Sequence, residues 1–373
     1  MVSPVHYHYG KFPPRNLEWP RIIPFIGPAN ADLARYDGTL TTMQNPAVLL
    51  TPLTTQEALL SSKIEGTQAT MGEVFEFEAE GDSKNLPKNR KDDIKEILNY
   101  RKAMWHAVNL LRKLPLCQRV VKNAHKVLLA GVRGQGKSPG EYRRTPNWIG
   151  PPSCSIEEAK FVPISADKLV DAMGKWENYI HEKAPDSLVQ LAILHAEFEA
   201  LHPFLDGNGR LGRMCVPLFM QKIGLIRTPM FYISSYLEKN SDEYYERLLA
   251  ISRDDDWTGW CIFFLKAIRQ QAKENHIKAS RILKLYKTKK DLIVDLTHSQ
   301  YAIHALDFIF SRPIFQASDF SGIDQISRAT AIRILSILRD NGIVTTLRKS
   351  SGRRPATYAF TELINLAEGK EIL

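Results

Sequence analysis

The stretch His202-Pro203-Phe204-Leu205-Asp206-Gly207-Asn208-Gly209-Arg210-Leu211-Gly212-Arg213 meets several distinct chemical needs within twelve residues. Gly207 and Gly209 admit positive φ, so consecutive N–H groups can turn inward as an anion nest, and Asn208 is among the non-glycine residues that best tolerate such a turn. A helix beginning near Gly209 adds the positive end of its dipole. Arg210 and Arg213 share a face of that helix, where two guanidinium forks can hold phosphate. Asp206 is placed to hold Mg²⁺ on those phosphates. His202 closes the preceding segment and titrates near neutrality, which suits it to take a proton from an attacking hydroxyl. Each residue alone reads as packing or surface charge; their concurrence points to phosphate chemistry.

Outward from this loop the pattern is helical. Helices are expected at 186–201, at 117–130 and around Ile94, Ile97, Leu98, Met104, Trp105, Val108 and Leu111, which recur at helical spacing. Thr54-Thr55-Gln56-Glu57 offers a cap and Gly66 a stop, so a short helix is expected near 54–66. Residues 1–50, with Phe12-Pro13-Pro14, Trp19-Pro20 and Pro24-Phe25, read as an extended arm lying on the core. Trp148-Ile149-Gly150-Pro151-Pro152 and Phe161-Val162-Pro163 are short extended pieces that fit one β-hairpin. The segment Gly131 to Ser138 matches the P-loop pattern, but a helix rather than a strand precedes it and Pro139-Gly140 stops a helix from following, so that reading is rejected.

From Ile268 the chain carries Arg269, Lys273, Lys278, Arg281, Lys284, Lys287, Lys289 and Lys290 in a helical pattern, a basic connecting helix. Beyond it come periodic segments at Tyr301–Phe310 and Ala317–Ile323, a helix capped by Ser327 and ended by Gly342, and two strands about the tip Arg348-Lys349-Ser350-Ser351-Gly352-Arg353-Arg354. That order is a winged helix-turn-helix. The expected division is therefore an arm (1–50), a core (51–267), a linker helix (268–297) and a winged helix (298–373), in a mainly α fold with one small β-hairpin.

Composition sets outer bounds. The 373 residues, 44% hydrophobic and 24% charged, suffice for a large helical core and a smaller module. The net charge of +9 favours anionic partners. Cys117, Cys154, Cys215 and Cys261 are scattered, which suggests neither zinc nor a disulfide framework and fits a reducing cytoplasm. No leader-like start and no run of ~20 apolar residues is present, so a soluble intracellular protein is expected. His6-Tyr7-His8 invites a metal reading, but no carboxylate or cysteine cluster accompanies it, so the two histidines read as surface residues of the arm.

The twelve-residue loop resembles the signature of the Fic (Fic/Doc) family, His-Pro-Phe-x-Asp-Gly-Asn-Gly-Arg-x-x-Arg, and matches it at every fixed position. The resemblance implies a Fic-type helical core over about 50–265, with the 148–163 hairpin as a flap that holds a target segment beside ATP. In such proteins a Tyr, Ser or Thr hydroxyl attacks the α-phosphate, pyrophosphate leaves and the target carries AMP; self-modification and a homodimer are also implied. His202 would be the base, Asp206 the Mg²⁺ ligand, Gly207, Asn208 and Gly209 the anion hole, and Arg210 and Arg213 the phosphate clamps, with Leu211 and Gly212 in the same nucleotide-binding turn. Ile149, Gly150, Pro151 and Pro152 match flap positions that approach the nucleotide, and Gly140-Glu141-Tyr142-Arg143 resembles the segment leading into the flap. Tyr244-Tyr245 resembles a pair bordering the adenine, while Ser252 stands where some relatives have an asparagine on the base. Members that use ATP as a phosphate donor carry Lys at the position of Gly209, so the glycine favours nucleotidyl transfer.

Ser61-Ser62-Lys63-Ile64-Glu65-Gly66 is similar to the inhibitory motif of the same family, the subclass with an N-terminal inhibitory helix. A carboxylate at a helix C-terminus costs roughly 0.3–1 kcal/mol unless a cation compensates, and Arg213 is the candidate cation. Glu65 on Arg213 would occupy the place of the γ-phosphate. A carboxylate beside bound AMP can also orient water, so removal of AMP by the same site stays open. Transfer of another phosphate-linked group, such as UMP or phosphocholine, is a further alternative.

In the C-terminal module Arg348, Lys349, Arg353 and Arg354, with Arg328 and Arg333, suit phosphate contacts on DNA. From His298 onward nine Lys/Arg stand against seven Asp/Glu, so both DNA and protein remain open as its partner. A DNA-binding regulator whose core only senses nucleotide is the rival of a different class.

Overall fold

The computed structural model describes residues 3–81, 86–151, 153–352 and 354–371. Its elements in chain order are β1 (Val5–His6), α1 (Trp19–Thr41), α2 (Pro46–Leu49), α3 (Thr51–Ile64), α4 (Met71–Glu80), α5 (Lys88–Leu111), α6 (Gln118–Leu128), β2 (Phe161–Val162), α7 (Leu169–His181), α8 (Ser187–Leu201), α9 (Asn208–Lys222), α10 (Ser234–Lys239), α11 (Ser241–Asp254), α12 (Trp257–Thr297), α13 (Ala302–Ser311), β3 (Ile314–Gln316), α14 (Ala317–Ser321), α15 (Arg328–Asp340), β4 (Thr345–Arg348), β5 (Thr357–Ala359) and α16 (Thr361–Glu368). The architecture is mainly helical, as the periodicity predicts. Among the described residues no helix is long and apolar enough to cross a membrane.

The chain divides into two compact units, the first of which comprises Met1–Asp37, Leu60–Gly66 and Asn99–Lys273. It is built around α8. Asp186 starts this helix as its N-cap, accepting from the N–H groups of Leu188 and Val189, both at 2.9 Å. Every residue from Leu188 to Phe198 is buried, so most of α8 lacks a solvent face and serves as a central post. Helices α7 and α9 pack on it. Two buried indoles hook onto its carbonyls: Trp176 Nε1 donates to Leu194 O at 2.9 Å, and Trp260 Nε1 to Ala192 O at 2.7 Å.

The second unit comprises Gly38–Leu59, Thr67–Leu98 and Glu274–Leu373. Its antiparallel sheet has the strand order β3-β5-β4, with α4 packed on β3. Ser327, the expected cap, accepts from Thr330 N at the start of α15. At the end of α4 the largely buried carboxylate of Glu80 gathers three donors from β4, β5 and the turn between them: Arg354 Nη2 at 2.7 Å, Thr357 Oγ1 at 3.0 Å, and Arg348.

Several expectations need correction. Residues 1–50 are not an irregular arm, because Trp19–Thr41 is helical despite Pro24 and Pro28 inside it. Ile22, Ala29, Leu33, Tyr36 and Leu40 form a buried stripe at helical spacing. Pro20 and Pro24 lie on the exposed side, where carbonyls deprived of a partner can reach water. The basic segment is not a separate linker; it is the second half of the 41-residue helix α12, whose first half belongs to the first unit. The expected boundaries at 50, 267 and 297 are therefore not those of the compact units, since 38–59 and 67–98 cluster with the C-terminal residues. The expected hairpin is reduced to a single antiparallel bridge, Ile149 to Phe161, and β2 pairs instead with β1, in parallel.

Candidate active site

The loop between α8 and α9 is shaped by its backbone. His202 ends α8 in the left-handed region (φ 46°, ψ 60°), its N–H on Phe198 O. Gly207 (φ 79°) is the N-cap of α9, which begins at Asn208. Gly209 does not have the positive φ the sequence suggests, for it already lies in the helix. Asn208 closes the loop on itself: its Oδ1 accepts from Phe204 N at 2.8 Å and its Nδ2 donates to Phe204 O at 2.9 Å.

Residues outside the loop hold it from behind. His125 Nε2 donates to Asp206 O at 2.9 Å, Gly140 N donates to His125 Nδ1 at 2.8 Å, and the imidazole stacks on Phe204 at 3.8 Å. These partners require the neutral ring, and burial pushes its pKa down to about 4. Buried Arg143 spends its fork on carbonyls of this loop and the flap: Nε donates to His202 O at 2.9 Å, and Nη2 to Leu201 O at 3.3 Å and to Ile164 O. The segment 131–138 follows helix α6, not a strand, and Gly134 lies against Asp206.

Arg213 is buried and holds Glu65. Its Nη2 donates to Glu65 Oε1 at 2.6 Å and to Ser61 O at 2.7 Å, while Nε donates to Ser61 Oγ at 2.9 Å. The absence of a Cβ at Gly209 makes this possible, because a methyl there would run into Glu65 Oε1 and stand 2.9 Å from Arg213 Nη1. Gly66 (φ 98°) then turns the chain away. Burial alone would raise the Glu65 pKa, but Arg213, and behind it Arg210 and His202, hold it below the ordinary carboxylate value. Arg210 lies one turn from Asp206 and donates to its Oδ1 at 3.2 Å. His202 is pushed down to about 4 by burial, against the raising influence of Glu65, so its ring is neutral and able to accept a proton at pH 7.

A cavity of about 420 Å³ lies beside the last turns of α8, which lead into the loop. Ile149, Gly150, Pro151, Lys160 and Phe161 form one wall, Ala196, Glu199 and Ala200 of α8 a second, and Tyr245, Leu248, Leu249 and Ile251 of α11 a third. Pro152 lies outside the described residues. Tyr244 is not in this cavity; it is buried and donates to His195 Nε2 at 2.9 Å, since His195 Nδ1–H is taken by Gly212 O at 3.2 Å. Leu211 is likewise core, and Gly212 gives close passage to Glu199. A cavity of this size, mostly apolar with a few polar groups, suits a nucleobase and ribose. For a divalent ion the candidate is Asp206, whose carboxylate is 38% exposed and receives Arg210 Nη2 at Oδ1. One carboxylate with phosphate oxygens and water is the set magnesium accepts, so the residues fit.

Sequence reasoning missed Glu197 and Glu199. Both sit in the otherwise apolar α8, and charges in a buried helix were a usable signal. Glu199 Oε1 is buried without a hydrogen-bond partner among the described residues, and burial raises its pKa to about 7. Glu197 accepts from Tyr7 OH at 2.6 Å and from His8 Nε2 at 2.9 Å. His8 is therefore not the surface residue the sequence suggests; it is buried and serves a buried carboxylate.

Comparison with known proteins agrees with this geometry. The description "Fic/DOC family N-terminal" matches residues 23–109 and "Fic/DOC family" residues 115–220. The protein adenylyltransferase Fic of Drosophila grimshawi is 25% identical over 200 residues, which are 52% of this chain and 37% of that protein. The protein adenylyltransferase fic-1 of Caenorhabditis briggsae is 25% identical over 122 residues, 32% of this chain and 20% of that one. The matches thus span 37% and 20% of the length of these two curated relatives. A Fic family protein from Desulfovibrio desulfuricans superposes with a TM-score of 0.59 at 20% identity, covering 94% of this chain and 98% of that one. A Fic domain containing signaling protein from Bacteroides thetaiotaomicron gives 0.55 at 17% identity, covering 69% and 98%. These structures share the fold. With its loop, its helical core and both matching regions in sequence order, the chain belongs to the Fic/DOC family.

Proposed function

We propose that the protein transfers AMP from ATP to a hydroxyl of a protein side chain, and that Glu65 holds this activity back. The observation that carries the reading is the Glu65–Arg213 pair at 2.6 Å over Gly209, at the end of a loop built to bind phosphates. In the transfer, neutral His202 takes the proton of the attacking hydroxyl as its oxygen bonds to the α-phosphorus. The bond from that phosphorus to the bridging oxygen breaks, and pyrophosphate leaves. N–H groups at the start of α9, with Arg210 and Arg213, stabilise the charge on the phosphates. Asp206 would hold magnesium, which when bound would further neutralise that charge. The aromatic face of Tyr245 and the flap residues Ile149, Gly150 and Pro151 receive the base.

Glu65 on Arg213 denies the γ-phosphate its clamp, so ATP binds in an unproductive pose. Incubation of wild type, Glu65→Gly and His202→Ala with ATP labelled at the α- or γ-phosphate tests this. Protein-bound label from the α-position, strongest in Glu65→Gly and absent in His202→Ala, is the expected result. Label from the γ-position, or equal α-label in wild type and Glu65→Gly, overturns it.

A second reading, removal of AMP from a modified protein, is favoured by the low pKa of Glu65, which keeps a carboxylate beside the site to orient water. The C-terminal elements support a winged helix-turn-helix. Arg348 and Arg354 are turned onto Glu80, so DNA contact by these arginines requires that carboxylate to give way. Lys349 is free of that contact, and Arg353 lies outside the described residues. The homodimer implied by the family resemblance remains part of the proposal.

A further inference from the structure

The flap wall of the cavity rests on very little of its own. Strand β2 is two residues long, too short to hold a position alone. Both of its edges are taken. On one side Ile149 N donates to Phe161 O at 2.9 Å and Phe161 N to Ile149 O at 3.1 Å. On the other, Val5 N donates to Lys160 O at 3.1 Å and Tyr7 N to Val162 O at 3.0 Å. The strand that lines the cavity is thus backed by a segment some 150 residues away in the chain.

That backing segment is pegged to the other two walls. Tyr7 and His8 both donate to the buried Glu197 of α8, one turn or less from the cavity-lining Ala196 and Ala200. With Nε2–H given to Glu197, the other nitrogen of His8, Nδ1, meets Ser252 Oγ at 2.7 Å, next to the cavity-lining Ile251 of α11. Trp257 closes edge-on against the imidazole at 5.1 Å. The departure at Ser252 from the asparagine of some relatives acquires a purpose here, since its hydroxyl is engaged by His8.

We propose that Tyr7 and His8 are positioning residues of the nucleotide cavity: strand β1 splints the flap, and the chain Tyr7–Glu197–His8–Ser252 sets the gap between flap and α11 that receives the base. This rests on the nucleotide-binding reading of the cavity. Loss of the peg loosens the flap but leaves His202, Asp206 and the arginines in place. The effect therefore falls on nucleotide affinity and not on the chemical step.

The test is made in the Glu65→Gly background, with His8→Ala and His8→Gln added singly, following AMP incorporation against ATP concentration. His8→Ala is expected to raise KM for ATP about tenfold, the scale of one or two lost hydrogen bonds, with kcat within about twofold. His8→Gln, which can donate to Glu197 and accept from Ser252, is expected to recover most of the loss. In hydrogen exchange the amides of Ile149 and Phe161 are expected to exchange faster in His8→Ala, with α9 unchanged. An unchanged KM in folded His8→Ala overturns the proposal, as does a parallel loss of kcat and protection throughout the unit, the mark of a merely structural role. If the Glu65→Gly parent itself transfers no AMP, the function reading fails separately. The proposal is then decided by ATP affinity in a direct binding titration, where equal affinity of parent and His8→Ala sinks it.

Discussion

Gly209 is the residue on which the site turns. Its hydrogen is all that separates the α9 backbone from Glu65 Oε1 and Arg213 Nη1. Gly209→Ala is therefore expected to push Glu65 off Arg213, and a carboxyl NMR titration should show the Glu65 pKa rising from its depressed value. An unmoved Glu65 resonance would show that the pair tolerates the methyl. His202 gives a second prediction. Burial is the main cause of its pKa of about 4, with Glu65 acting the other way, so in Glu65→Gly the imidazole loses a raising contribution. The ring stays neutral above that value, and the transfer rate of Glu65→Gly is expected to show no inflection from His202 between pH 5.5 and 7.5, a range set well above about 4. An inflection near the unperturbed value of about 6.5 would mean the imidazole is solvated, not buried. The candidate residues of the 202–213 loop were legible because they lie together in the chain and each expected role calls for a particular residue type. The pair Tyr244-Tyr245 was less so, although helix geometry turns neighbours about 100° apart, which lets only one of two consecutive residues face a cavity.

At the scale of elements, α4 and the C-terminal sheet are joined by one carboxylate. Glu80 has a side chain only 10% exposed and its pKa is held down: burial opposes this, but the hydrogen bonds from Arg348, Thr357 and Arg354 prevail. Glu80→Ala leaves Arg348 and Arg354 without that partner. Because both arginines keep substantial solvent contact, the expected loss is about 1–2 kcal/mol rather than the 3–5 of a fully buried pair. Faster amide exchange at β5, with α15 little changed, would register it. If the wing binds DNA, the same variant should bind duplex more tightly and with a steeper salt dependence than wild type. Element boundaries were the less legible part of the chain. Helix α1 was hidden by prolines that local rules forbid, and its apolar stripe decided the outcome through packing. Strand β1 was hidden because its partner lies far along the chain, where no local pattern of two residues can announce it.

For the molecule as a whole, buried titratable groups set the response to acid. His125 and His195 are buried and neutral, with pKa values lowered to about 4 and about 3, chiefly by burial. The unfolded chain takes up these protons near pH 6.5, so their neutral burial is fully tolerated above that value and is penalised progressively as pH falls toward 4. At pH 5 the penalty is about 2 kcal/mol for each. Glu199 works in the opposite sense: raised to about 7, it favours the folded state as pH falls from 7 toward the ordinary carboxylate value. Glu199→Gln removes that compensation and is expected to steepen the fall in Tm between pH 7 and 5. An unchanged slope would place the Glu199 proton outside the folding equilibrium. Composition and periodicity made the helical class readable at this scale. The two units were not, because α1, α3, α5 and α12 each contribute residues to both and no composition change marks the divide.

The pairing of β1 with β2 also orders events in time. Tyr7 meets Glu197 190 positions later, and His8 meets Ser252 244 positions later. During synthesis at roughly 5–20 residues per second the arm must wait on the order of 10 s or more for those partners to be made. The segment that closes the cavity is thus translated before its walls and assembled after them, so a nascent or refolding chain passes through a stage in which the catalytic loop can be complete while the flap has no splint.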